Sequence, residues 1–136
     1  MDEHRGPREV VARIERTFGR DLDAWLECFD EPMVVVGPDR TMSFETRAAA
    51  RPFFERTYDA LRAAGFDATT ADDVSVRTID DGVALVDARF TRRRADGSEM
   101  ERLGALYVCR RRAGTPDEWG VAVLVRHPHE IEAIGR

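Results

Sequence analysis

The amino-acid sequence predicts an α+β fold, built as one domain over residues 1–136. Three observations carry that reading. Up to about residue 65, apolar side chains recur at the spacing of amphipathic helices, interrupted by one buried-strand run, "MVVVG". From residue 72 onward the period falls to two, as in strands, over 72–79, 82–94, 101–112 and 118–127. The length of 136 residues, with 43% hydrophobic and 35% charged side chains, suits one domain with a real core.

The elements follow in order. "REVVARIERTFG" places Val10, Val11, Ile14 and Phe18 on one helical face with charges between them, and Gly19 ends the helix. Asp21 suits the N-cap of a second helix, "LDAWLECF", whose Leu22, Trp25, Leu26 and Phe29 share a face. Pro32 stops it, "MVVVG" follows as a strand, and Gly37-Pro38-Asp39 turns the chain toward a short strand, "TMSF". "ETRAAARPFFERTYDALRAAG" reads as a long third helix with Ala50, Phe53, Phe54, Thr57 and Leu61 as its apolar stripe, kinked at Pro52 or regular only from there.

Turn chemistry sets the register of the remaining strands. Asp80-Asp81-Gly82 suits a three-residue hairpin loop, with Gly82 left-handed, that puts Ile79 opposite Val83 and Val76 opposite Val86. "ADGS" joins the next pair and sets Val86 against Tyr107 and Ala84 against Cys109. The turn Ala113 to Asp117 sets Tyr107 against Val123, Cys109 against Val121 and Ala105 against Val125. One face then collects Val74, Val76, Ala84, Val86, Ala88, Phe90, Leu103, Ala105, Tyr107, Cys109, Val121, Val123 and Val125, and requires helices to cover it. The other face holds Leu85, Asp87, Arg89, Leu106, Leu124 and Arg126, and is too apolar to be left wholly in water.

Charge and composition exclude several functions. A net charge of −5 argues against nucleic acid as the main partner. The runs Arg92–Arg94 and Arg110–Arg112 fall at opposite ends of one hairpin and form no single basic patch. Cys28 and Cys109 lie in apolar surroundings as reduced core residues. "MDEHRGPREVV" has no apolar leader core and no run is long enough to span a membrane, so a cytoplasmic location is expected.

The order of elements in "DLDAWLECFDEPMVVVGPD", the third helix after it, the long meander and the Trp opening "EWGVAVLVRHP" together resemble the nuclear transport factor 2-like superfamily, especially its polyketide-cyclase-like (SnoaL-like) branch. The resemblance implies a cone: a curved antiparallel or mixed sheet wrapped around the long helix, with two further N-terminal helices. It implies a cavity inside the cone and a homodimer through the outer sheet face, here Leu85, Asp87, Arg89, Leu106, Leu124 and Arg126. Similar proteins include ketosteroid isomerases, polyketide cyclases, dehydratases, small-ligand binders and assembly domains.

The isomerases use a carboxylate base and neutral donors in a dry pocket, where a developing oxyanion is stabilised. The expected inward sheet face has no central carboxylate, the first helix no Tyr, and "MVVV" no Asp. The remaining polar candidates are Asp72, Tyr107 and His127, as base, donor and acid–base partner. Trp25, Phe29, Phe53, Tyr107 and Val123 are the expected cavity lining, with Ala84, Ala88 and Ala105 leaving room above the sheet. "HPH" and His4 lack partners at ligand spacing, so no metal is expected, nor any cofactor. Three readings follow. The first is a dimeric domain holding a small organic molecule in an apolar pocket. The second is an isomerase-, cyclase- or dehydratase-like enzyme working by acid–base chemistry. The third is an assembly domain whose cone is filled by Trp25, Phe53 and Tyr107.

Overall fold

The structure, a computed structural model, describes residues 6–114 and 118–130. His4 and positions 115–117 of the last expected turn lie outside the described residues. Among the described residues nine elements follow one another: α1 (Pro7–Thr17), α2 (Leu22–Glu27), β1 (Phe29–Val36), β2 (Thr41–Phe44), α3 (Arg47–Ala63), β3 (Phe66–Asp80), β4 (Val83–Arg94), β5 (Glu99–Arg111) and β6 (Trp119–His127). The strands form one mixed sheet in the order β2-β1-β6-β5-β4-β3. Only the β1–β6 pair is parallel.

Local chemistry explains the helices. The Asp21 side chain accepts from the Ala24 amide at 3.1 Å and starts α2, and Thr46 does the same for Ala49 and α3. Helix α3 runs unbroken through Pro52, near its N-terminal end. Pro52 and Ala48 are both exposed, so the Ala48 carbonyl that loses an amide partner can turn to water. Gly19 closes α1 with φ of 77°. A side chain there would also run into the Phe66 ring.

The helices cover one face of the sheet. Val10, Val11 and Ile14 from α1, Trp25 and Leu26 from α2, and Ala50, Phe54 and Tyr58 from α3 pack on Val86, Ala88, Phe90, Ala105, Tyr107, Cys109 and Val121. Burial of this face supplies the main driving force, on the order of 1.5–3 kcal/mol for each large apolar side chain. The β3–β4 and β4–β5 registers match the expectation, with Val76 opposite Val86, Val86 opposite Tyr107 and Ala84 opposite Cys109. Asp87 and Arg89 accordingly face outward.

Four details differ from the sequence reading. Strand β3 begins at Phe66 rather than 72 and is mostly exposed, a long edge strand whose polar residues mask its periodicity. Pro32 lies inside β1, at a register break between Phe29 and Val34 where no ladder amide is needed. At the β3–β4 turn Asp80 pairs with Val83 across an irregularity, the Asp80 carboxylate accepts from the Gly82 amide at 2.8 Å, and Gly82 does not have positive φ.

The fourth difference matters most. Cys109 pairs with Val121 as expected, but a β-bulge follows at Ala122, and Val108 then pairs with Val123, Tyr107 with Leu124 and Ala105 with Arg126. One extra residue exchanges the two faces of β6 beyond that point. Leu124 and Arg126, expected on the outer face, lie inside the cone. Val123, Val125 and His127, expected inside, lie outside, where His127 pairs with Gly104.

Replacing Gly19 with Ala forces an L-residue into the left-handed region, at a cost of about 1–2 kcal/mol, before any displacement of Phe66. Urea unfolding of the G19A variant is expected to show a lower midpoint with an unchanged slope.

Candidate functional site

A cavity of about 390 Å³ lies between the helices and the inner sheet face. Most of its wall is carbon. Ile14 and Phe18 come from α1 or its C-terminal end, Trp25 from α2, and Phe53, Phe54 and Leu61 from α3; Phe90, Leu103, Ala105, Tyr107 and Leu124 come from the meander. The bulge in β6 puts Leu124 and Arg126 in this wall. Ala60 and Arg126 are exposed as well as lining, and so mark the mouth.

Among the described residues, helix α1 supplies the one carboxylate that lines the cavity. Glu15 stands at the i+4 position of the stripe Val11, Ile14, Glu15, Phe18, and therefore on the face the helix turns inward. One of its oxygens, Oε1, is buried with no hydrogen-bond partner among the described residues. Burial pushes its carboxyl up to about 7, with the neighbouring Arg16 acting weakly in the other direction. Two other lining residues carry buried polar atoms without a protein partner, Trp25 at Nε1 and Thr69 at Oγ1. The Tyr107 hydroxyl is pushed well above its ordinary range by burial first and by the Glu15 charge second. Arg92 also borders the cavity; it donates to Glu101 at 2.5 Å and lies 5.0 Å from the centre of the Phe18 ring.

The expected lining residues divide. Trp25, Phe53 and Tyr107 border the cavity. Phe29 is buried behind it, with its ring 4.6 Å from that of Trp25, because β1 starts there and draws the ring into the core. Val123 is turned to the outer face by the bulge.

The three catalytic candidates are not brought together. Tyr107 is inside, whereas Asp72 and His127 belong to the outer face. His127 Nε2 lies 2.8 Å from Asp87 Oδ1 and its Nδ1 lies 2.7 Å from the Pro128 carbonyl, while Arg89 stands 4.0 Å from the same carboxylate. Asp72 sits at an irregularity of β3, accepting from the Thr91 hydroxyl at 2.6 Å and pairing with His129 at 3.0 Å. Its partial burial is outweighed by these bonds, which hold the carboxyl below its usual value. Neither cysteine is set up as a nucleophile. Burial pushes the Cys109 thiol up to about 12 and raises that of Cys28.

Glu15 is absent from the sequence-based candidates because those lie on the strands, whereas Glu15 lies on a helix. The signal was present in the helix, as a charge inside an apolar i, i+3, i+4, i+7 pattern.

A half-open cone with an apolar cavity in its hollow defines an α+β fold of the cystatin-like, nuclear transport factor 2-like class. The family model described as "NTF2-like protein (DUF6841)" matches residues 9–129, and the chain belongs to that family. This assignment is coarser than the polyketide-cyclase-like branch that the sequence resembles. No curated protein matches the chain. Solved structures agree on the fold. An NTF2-like protein with a cystatin-like fold from Novosphingobium aromaticivorans is 22% identical, with a TM-score of 0.71, over 93% of this chain and 81% of its own. A cystatin-like protein of unknown function from Nostoc punctiforme shares 13% identity at a TM-score of 0.70, over 90% and 88%. A ketosteroid isomerase-like protein from Erwinia carotovora atroseptica shares 18% at 0.64, over 96% and 100%.

Glu15 generates a pH effect on stability. Its folded-state value lies above its unfolded one, so the folded state holds the proton more tightly and stability declines as pH rises from about 4.5 through about 7. Allowing for the part of the carboxyl that solvent reaches, the loss is about 1–2 kcal/mol. E15Q is expected to match the parent in urea unfolding near pH 4.5 and to exceed it at pH 8.

Proposed function

We propose that this chain is a small-molecule-binding domain of the NTF2-like family. The observation that carries the reading is a carbon-walled cavity of about 390 Å³ in which buried polar atoms of Glu15, Trp25 and Thr69 have no partner among the described residues. Ligand sites combine an apolar wall with a few polar groups, and their volumes begin at about 300 Å³. The size suits a molecule of two or three rings. It also weighs for binding over an assembly domain with a filled cone. Free, buried Cys28 and Cys109 suit a reducing compartment, and cytoplasmic placement belongs to this proposal. Among the described residues no helix is long and apolar enough to cross a membrane.

Binding is tested by titrating naphthalene into isotopically labelled protein and following the indole N–H signals of Trp25 and Trp119. The Trp25 signal is expected to shift in a saturable way and the Trp119 signal to stay in place. A60F, which narrows the mouth at an exposed position, is expected to abolish the shift. An unmoved Trp25 signal at saturating naphthalene would count against the reading.

One observation favours a second reading, acid–base catalysis of the isomerase, cyclase or dehydratase kind: Glu15 and Tyr107 line the same cavity, and the Glu15 charge adds to the burial that raises the Tyr107 hydroxyl. A carboxyl poised near neutrality can move a proton next to a carbonyl while a hydroxyl donates to the oxygen. This reading expects exchange of the α-protons of 2-tetralone in heavy water, accelerated by the parent protein and lost in E15Q.

We also propose a homodimer through the outer sheet face. After the bulge, that face presents Leu85, Asp87, Arg89 and Leu106 together with Val108, Val123 and Val125, in place of the expected Leu124 and Arg126. An unpaired charge within such an interface is costly. L106R is expected to sediment as a monomer; a persistent dimer would reject this interface.

A further inference from the structure

The cavity's polar groups have a bias that bears on its ligand. Trp25 Nε1 can only donate, and so can the guanidinium groups of Arg92 and Arg126. Thr69 and Tyr107 can do both. Among the lining residues Glu15 is the one acid, and it becomes a donor only when it holds a proton. Ionised, it would be a buried anion without a protein partner at Oε1.

We infer that the cavity takes an uncharged molecule whose polar end is a hydrogen-bond acceptor, and that capture requires the Glu15 carboxyl to be protonated so that it can donate to that end. This rests on the binding reading above and adds to it a ligand class and a proton-linked control.

The surroundings of Glu15 fit a donor role. On its own helix Arg16 adjoins it. Arg92 comes from β4, with its charge met by Glu101; Tyr107 comes from β5; Arg126 from β6 stands at the exposed mouth. Thr69 from β3, Trp25 from α2 and Thr57 from α3 are uncharged. Among the described residues no cation forms an ion pair with Glu15 inside the cavity. A carboxylate ligand would meet the Glu15 charge, and a hydrocarbon would leave the donors unanswered. A carbonyl or ether oxygen answers them without bringing a charge into an apolar wall.

The control has a sign. Glu15 titrates near pH 7 in the folded protein, so the donor form dominates below that pH and is lost above it. If only this form binds the acceptor, affinity falls about tenfold between pH 6 and pH 8.

Two probes of matched shape isolate the effect: 2-acetylnaphthalene, which carries a carbonyl, and 2-ethylnaphthalene, which does not. Dissociation constants are read from the Trp25 indole signal at both pH values. The ketone is expected to weaken about tenfold from pH 6 to pH 8 and the hydrocarbon to change less than about twofold. E15Q keeps a donor that does not titrate, and is expected to bind the ketone at both pH values about as well as the parent does at pH 6. Equal pH profiles for the two probes, or an unchanged ketone profile in E15Q, would overturn the inference while leaving the binding reading intact. Failure of both probes to bind at either pH would remove both.

Discussion

The fold depends on the one-sidedness of its meander. Val86, Ala88, Phe90, Ala105, Tyr107 and Cys109 all point to the same face, and a face so apolar must be kept from water. Three helices provide the cover, and the sheet curves around them. Of the three small residues expected to leave room above the sheet, Ala105 borders the cavity, whereas Ala84 and Ala88 are closed over in the core. The cavity lies between apolar residues of the helices and Phe90, Leu103, Ala105, Tyr107 and Leu124 of the strands, and its carbon wall is a by-product of the same sorting that folds the chain.

That sorting was legible in the sequence, since alternation and turn residues together fix register. The pairings of β3 with β4 and of β4 with β5 follow directly from Asp-Gly turns and apolar alternation. The bulge in β6 was not legible. "VAVLVRH" is apolar at consecutive positions, so either alternate set could face inward, and the alternation carries no mark of a slipped residue. A single extra residue at Ala122 moved Leu124 and Arg126 to the cavity and His127 to the outer face. The loss of Asp72 and His127 as a cavity pair follows from that one slip together with the irregularity in β3.

Glu15 is a different case. Its position in the helical stripe was visible, but a charged residue on a helix is ordinarily solvated, and only the hollow shows that this one is partly withdrawn from water. The cavity thus has an acid whose state depends on its surroundings, supplied by the element least constrained by strand pairing. Helix α1 presents it to the cavity that Phe18 and Tyr107 also line, so the helix supplies the acid and the sheet much of the wall.

Gly104 joins the two sides of the cone. Its backbone borders the cavity, while on the opposite side the His127 ring occupies the space a side chain would take. At this point the wall is one peptide thick, with the hollow on one side and the Asp87–His127 cluster on the other. Any residue larger than glycine would have to evict the imidazole, uncoupling it from its carboxylate and disturbing the rim of the hollow in the same move. The position is a thin membrane between two chemistries, and neither can be rebuilt there without regard to the other.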